Sequence, residues 1–199
     1  MTQVRFDLVL APGTRSKEVI PNVEAACRTI SATLQVSFTY VGQEHPGEGV
    51  TAEVWEDRHA GKIKLVDDTK MPAVYVAPFV RPSYGPDFIY FTLADNLPHV
   101  EPSELRDMAE RGEPNRVTAL QRLGLGETED YDARTARILI DGVRSRDVDE
   151  RRAATLAIFL LKWGAFGPAL DTAIVAETDE NLKAQQTVTR RYLQSSLII

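Results

Sequence analysis

The sequence predicts an α+β fold made of two parts. Residues 1–98 form a mostly antiparallel sheet with one helix, and this layer packs on or is fused to an all-helical part, residues 99–199. Two observations carry the prediction: apolar residues recur at every second position through most of the first part, and three and four residues apart in the second. Residues 96–104 contain two prolines but no long flexible linker, so we expect one compact body.

The first part reads mainly as strands. Residues 4–10 place apolar side chains at alternate positions, the period of a half-buried strand. A helix follows from about Pro21, because Val23, Cys27 and Leu34 share one helical face. Long runs of adjacent strands favour an antiparallel sheet. Further strands are predicted at residues 36–40, 50–56, 62–66, 73–80 and 88–93, with a loop at residues 43–49.

The second part reads as helices. Pro102 suits the first turn of a helix and Gly112 suits its end. The helix at residues 148–163 is apolar almost all round in its second half, which is typical of the buried centre of a helical layer. The other helices are predicted at residues 115–123, 131–143, 169–175 and 180–194.

Three predicted helix starts, at residues 130–134, 147–151 and 179–183, share a five-residue pattern. Its first residue is an acid, its third is an acid or an amide, and its fifth is a base, while the second and fourth vary. The first acid can cap the helix and the base can pair back across one turn. Asp147, Arg151 and the pair Ala153-Ala154 resemble the second helix of HEAT-like helical-hairpin repeats, over about 80 residues at most. The resemblance implies a scaffold whose concave face holds a partner protein or, less often, nucleic acid. A plain helical bundle packed on the sheet explains the same residues.

Catalytic motifs are missing from the sequence. It contains no Gly-x-Ser-x-Gly nucleophile elbow and no phosphate-binding glycine loop. The histidines have no second His or Cys at metal-ligand spacing, so we expect no metal and no cofactor. An alternative hypothesis is an enzyme with a scattered acid–base site, in which Asp57 or Glu101 supports His59 or His99 as the general base.

The charge balance disfavours nucleic-acid binding. Lys and Arg total 23 against 29 Asp and Glu, a net charge of −6, whereas phosphate binding needs a dense basic surface. One basic cluster, around residues 144–152, could still contact phosphates or an acidic partner. Acidic residues are interleaved with it, which favours salt bridges within the cluster.

Targeting signals and disulfides are not expected. The N-terminus reads as a strand rather than a signal peptide, and the longest apolar run, residues 153–161, is too short to span a bilayer. We therefore expect no membrane contact and, by default, a cytoplasmic location. The single cysteine, Cys27, is predicted to be a small buried hydrophobic residue.

The leading hypothesis is a non-enzymatic protein-binding module, for example a neutralising, immunity-type or assembly partner of another protein, which the acidic charge suggests is basic. The sequence leaves the oligomeric state open. Exposed Trp and Tyr often anchor interfaces. The apolar C-terminus either docks on its own core or contacts a partner chain. Candidate contact residues are Trp55, Tyr84, Arg144, Arg146, Arg151, Arg152, Ile198 and Ile199.

Overall fold

The computed structural model describes residues 4–127 and 130–195. The chain divides into two compact units, the first ending at Val100 and the second starting at Glu101. The first unit is an antiparallel sheet with helices and the second is helical, so the predicted α+β class is confirmed.

The sheet of the first unit has the strand order β1-β6-β5-β4-β3, and β2 also pairs with β6. Every pairing is antiparallel. The tight β4–β5 and β5–β6 connections explain why sequential strands are neighbours. The strands are β1 (Val4–Arg5), β2 (Leu8–Val9), β3 (Thr39–Gly47), β4 (Val50–Asp57), β5 (Gly61–Asp68) and β6 (Ala73–Val80).

Two helices, α1 (Ser16–Leu34) and α2 (Pro86–Asn96), pack on each other and on the sheet. Val23 of α1, Ile89 of α2 and Ile63 of β5 are fully buried in one shared hydrophobic core. Burying an aliphatic side chain of this size contributes about 1.5–3 kcal/mol, so the apolar stripe of each helix fixes it to the sheet.

The predicted strand at residues 88–93 is wrong, because these residues belong to α2. Gly85, with a φ of 60°, turns the chain, and Pro86 occupies the first helical turn. Ile89 and Leu93, four residues apart, both face the core. The aromatic residues of this segment favour strands by propensity, and packing against α1 and the sheet overrides that preference. Residues 4–100 of the first unit therefore contain two α-helices rather than one.

Two further boundaries differ from the prediction. Helix α1 begins at Ser16 rather than near Pro21, which lies exposed within it. Strand β3 continues to Gly47, through the segment predicted as a loop. As an edge strand it tolerates Pro46, and its pairing with β4 shifts register between Glu44 and Gly47.

Cys27 lies on the buried face of α1 and is 2% exposed. Burial raises the pKa of its thiol to about 12. We expect the native protein to react only slowly with a thiol reagent such as DTNB at mildly alkaline pH, because the reactive thiolate is scarce and shielded. In protein unfolded with guanidinium chloride, the single thiol should react rapidly with one equivalent of DTNB. Equally fast labelling of the native protein would contradict this burial.

The described residues of the second unit, 101–127 and 130–195, form three helical hairpins. In each hairpin the two helices pack together: α3 on α4, α5 on α6, and α7 on α8. The second helices α4, α6 and α8 also stack side by side. The helices are α3 (Pro102–Arg111), α4 (Arg116–Gly126), α5 (Ala133–Val143), α6 (Val148–Leu161), α7 (Gly167–Ala176) and α8 (Glu180–Ser195).

The hairpins repeat with a constant spacing. Helices α4, α6 and α8 follow Asn115, Asp147 and Asp179, which stand 32 residues apart each time. Each of these three side chains accepts a hydrogen bond from a backbone N–H of the first helical turn. The predicted repeat member at residues 130–134 is different, because Asp132 caps α5, the first helix of its hairpin. The sequence pattern did not identify Asn115 as the equivalent residue of the first hairpin, because the residues that follow it lack the acid and the base of the pattern.

Candidate functional site

The two aromatic contact candidates contribute to the core of the first unit. Trp55 is 2% exposed and lies within the hydrophobic cluster. Tyr84 is half-buried and packs against the same cluster. A buried indole offers no surface to a partner, so Trp55 is a core residue in this structure rather than an exposed contact residue.

The histidine-based enzyme hypothesis finds no supporting geometry at His59. Its imidazole is exposed and accepts a hydrogen bond from Arg58 Nε at 2.7 Å. The Asp57 carboxylate instead accepts the backbone N–H groups of His59, Ala60 and Ser37. Burial alone would raise the pKa of Asp57, but these hydrogen bonds outweigh it and lower the pKa below its ordinary value. Asp57 therefore stabilises a turn rather than orienting the imidazole.

His99 is half-buried, and its Nδ1 lies 3.2 Å from the carbonyl oxygen of Leu97. Its backbone pairs with Leu10 at the edge of the sheet. No histidine lines the depressions of about 320 and 670 Å³ in the second unit, so neither is the pocket that an acid–base site at His99 would need.

The predicted salt bridging of the basic cluster is confirmed for Arg152, which donates to Asp149 at 2.7 Å. Arg151 is also paired, but with a carboxylate outside the cluster. Its guanidinium donates two hydrogen bonds to Glu177, at 2.8 and 2.9 Å, and Nη1 donates to the carbonyl oxygens of Ser145 and Arg146. One side chain thus ties the α5–α6 turn to the α7–α8 turn.

Arg144 and Arg146 are exposed and make no ion pair with any residue that the structure describes. Arg144 borders a depression of about 320 Å³ beside the Arg151–Glu177 pair. Two free guanidinium groups are a sparse surface for nucleic acid, which needs several phosphate contacts. Ile198 and Ile199 lie outside the described residues.

A second depression, larger than the one beside Arg144, lies on the second helices. Gly124 of α4 lets α6 approach so closely that a Cβ built at this position would overlap Ala157. The residues one repeat later are Leu156 and Thr189, which are larger than the Gly–Ala pair. Larger side chains at equivalent positions favour a wider spacing between helices, and α6 and α8 do pack less closely than α4 and α6. A groove opens between them, which we call the α6–α8 groove.

The α6–α8 groove has a volume of about 670 Å³. Its walls include Leu156 and Phe159 of α6 and Val188 of α8, with Val117 of α4 at the side. Phe159 and Val188 are 37% and 59% exposed. The Phe159 ring contacts that of Tyr192 at a centroid distance of 5.1 Å, which extends the apolar surface along α8. Exposed apolar clusters of this kind typically mark interaction sites.

The opposite end of the groove is polar. Arg152 lies there between two carboxylates, Asp149 at 2.7 Å and Asp179 at 3.7 Å. The glutamines Gln121 and Gln185 line the stretch between this polar end and the apolar walls. The groove therefore combines an apolar floor with a few hydrogen-bonding groups, the usual make-up of a binding site.

A buried glutamine side chain next to the groove, that of Gln186, is expected to lower the stability of the protein. Gln186 of α8 is fully buried, and neither its Oε1 nor its Nε2 has a hydrogen-bond partner among the described residues. Gln186→Met is expected to raise the free energy of unfolding by about 1–2 kcal/mol, because it removes a desolvated amide at similar volume. Chemical denaturation measures this change. The exposed neighbour supplies the control: Gln185→Met should change stability by less than about 0.5 kcal/mol.

Neither a metal centre nor a membrane span is found within residues 4–127 and 130–195. No three His, Cys, Asp or Glu side chains there are grouped to hold an ion. No helix among them is long and apolar enough to cross a bilayer. Comparisons with protein-family models, curated proteins and solved structures find no match.

None of the apolar groove residues was a candidate from sequence. A signal was present in α8, where Leu182, Gln186, Thr189 and Leu193 form the buried stripe. Val188 and Tyr192 stand four residues apart outside that stripe. A second apolar row on an otherwise polar helix indicates a further surface to be covered.

Proposed function

We propose that this protein is a non-enzymatic protein-binding module, and that it docks its partner in the α6–α8 groove. The observation that carries the proposal is the exposed apolar row of Phe159, Val188 and Tyr192 in and beside that groove. Large exposed apolar side chains cost solubility, and clusters of them are typical of interfaces.

The hairpin repeat supports this proposal. Three hairpins whose second helices start 32 residues apart fit the HEAT-like resemblance of the sequence better than an irregular bundle does. The resemblance implies a scaffold that holds a partner protein on its concave face. The groove lies among the stacked second helices α4, α6 and α8.

The net charge of −6 favours a basic partner, as for a neutralising or assembly protein. A cytoplasmic location is part of the proposal, and the free, buried thiol of Cys27 is compatible with it. Electrostatic attraction would accelerate the encounter, and the apolar groove would supply most of the affinity.

The test is affinity capture from the native extract with the wild type and two variants. Val188→Asp places a charge in the groove at a position that is 59% exposed, so the fold should tolerate it. Val175→Asp, at an 85% exposed valine of α7 that does not line the groove, is the matched control. We expect a stoichiometric partner with the wild type and Val175→Asp, and its loss with Val188→Asp. Purified partner binding all three proteins equally in calorimetry would refute the groove as the docking site.

A further inference from the structure

The α6–α8 groove also restricts what kind of segment it can hold. Its walls are helices, so their central backbone N–H and C=O groups are bonded within each helix. No strand edge is offered to an incoming chain, and the polar side chains that line the groove, such as Gln121 and Gln185, do not form the regular hydrogen-bonding ladder of a strand. An α-helix satisfies its own backbone hydrogen bonds, whereas an extended peptide would depend on water and on these side chains, so the groove favours a helix.

The dimensions fit a short helix. Along α6 the lining residues run from Asp149 to Phe159, a length of about 15 Å at the helical rise of 1.5 Å per residue. About three turns of helix span this length. Such a segment can place apolar residues at i, i+4 and i+7 against one wall.

The charged residues at one end of the groove indicate how a bound segment is oriented. At the polar end, the Asp149 and Asp179 carboxylates share the single Arg152 guanidinium, and the Asp149 side chain is 65% exposed. The positive poles of α6 and α8 are already met by the capping carboxylates Asp147 and Asp179. Asp149 therefore has capacity for a second cation, whereas the Phe159 end is apolar.

We propose that the occupant is an amphipathic α-helix of a partner protein, with its apolar face between α6 and α8 and a Lys or Arg beside Asp149. This inference rests on the proposed function and adds the conformation, polarity and charge of the docking segment. It goes further than a general preference for basic partners, because it assigns the cation to one end of one groove.

The probe is a randomised display library of 20-residue peptides, selected on the immobilised full-length protein and counter-selected on Val188→Asp. Enriched peptides are then synthesised. Their affinities for the wild type, Val188→Asp, Val175→Asp and Asp149→Asn are measured by fluorescence anisotropy, and their helicity on binding by circular dichroism. Size-exclusion chromatography with light scattering gives the oligomeric state of each protein.

We expect apolar residues at helical spacing, a Lys or Arg at one end, and helix formation on binding. Val188→Asp should weaken binding at least about tenfold, Asp149→Asn about threefold to tenfold and only for cationic peptides, and Val175→Asp should leave it unchanged. Enriched peptides that bind in an extended form, or that are acidic, would overturn this inference and leave the groove as a docking site. Absence of enrichment over Val188→Asp would overturn both proposals. A wild-type dimer that becomes monomeric in Val188→Asp would assign the groove to a second copy instead.

Discussion

Replacing Arg151 with methionine is expected to lower the free energy of unfolding by about 3–5 kcal/mol, the largest effect of any single polar substitution considered for this protein. The substitution leaves the Glu177 carboxylate, whose side chain is 1% exposed, without its cation. It also removes the donor to the carbonyl oxygens of Ser145 and Arg146. Urea or guanidinium denaturation followed by circular dichroism measures the loss.

Two variants separate loss of the buried pair from general disturbance of α6. Arg152→Met removes the adjacent arginine, which is 42% exposed, and should cost at most about 1 kcal/mol. The double variant Arg151→Met with Glu177→Met removes both charges and should recover much of the stability. A double variant no more stable than Arg151→Met would show that the paired charges are not the reason for the loss.

Stability is also expected to fall in acid through Glu177. The bidentate hydrogen bonds from Arg151 lower the pKa of this carboxyl from 4.5 to about 2 in the folded protein. Above pH 4.5 the carboxyl is ionised in both states, and the full stabilisation is present. As the pH falls from 4.5 to 2 the unfolded chain takes up the proton first, and the stabilisation, about 3 kcal/mol, is lost.

The check is a series of thermal or chemical unfolding measurements between neutral pH and pH 2. Glu177→Gln cannot titrate here, so its stability should depend less on pH over this range than that of the wild type. The comparison is Glu48, whose side chain is 92% exposed in its pair with Lys70. Solvent screens that pair, so Glu48→Gln should keep almost all of the wild-type acid dependence. Identical pH profiles for the wild type and Glu177→Gln would exclude Glu177 as the main acid-sensitive group.

Much of this architecture follows from local sequence signals. Alternating apolar residues mark β4 and β5, a nearly continuous apolar run marks β6, and proline, capping residues and glycine mark most helix ends. Asp147, singled out as a helix start from its neighbours, does cap α6. These signals act over one turn of helix or two residues of strand, so a single sequence displays them directly.

Interactions between distant residues account for the differences. Residues 88–93 form a helix because Ile89 and Leu93 reach a core built from α1 and the sheet. Arg151 finds its partner, Glu177, 26 positions away and not among the adjacent acids. Both outcomes are decided by which surfaces meet, which local propensity does not encode.

At the candidate site, too, some properties follow from the sequence and others only from the tertiary structure. The sequence alone established the α+β class, the helical second part, the acidic balance and the absence of catalytic motifs. The α6–α8 groove lies where α6 and α8 pack less closely than α4 and α6 do: Gly124 meets Ala157 between α4 and α6, and the larger Leu156 and Thr189 occupy the equivalent positions one repeat later. The spacing of two helices is set by the side chains of both at their closest approach, so it emerges only when the helices are assembled.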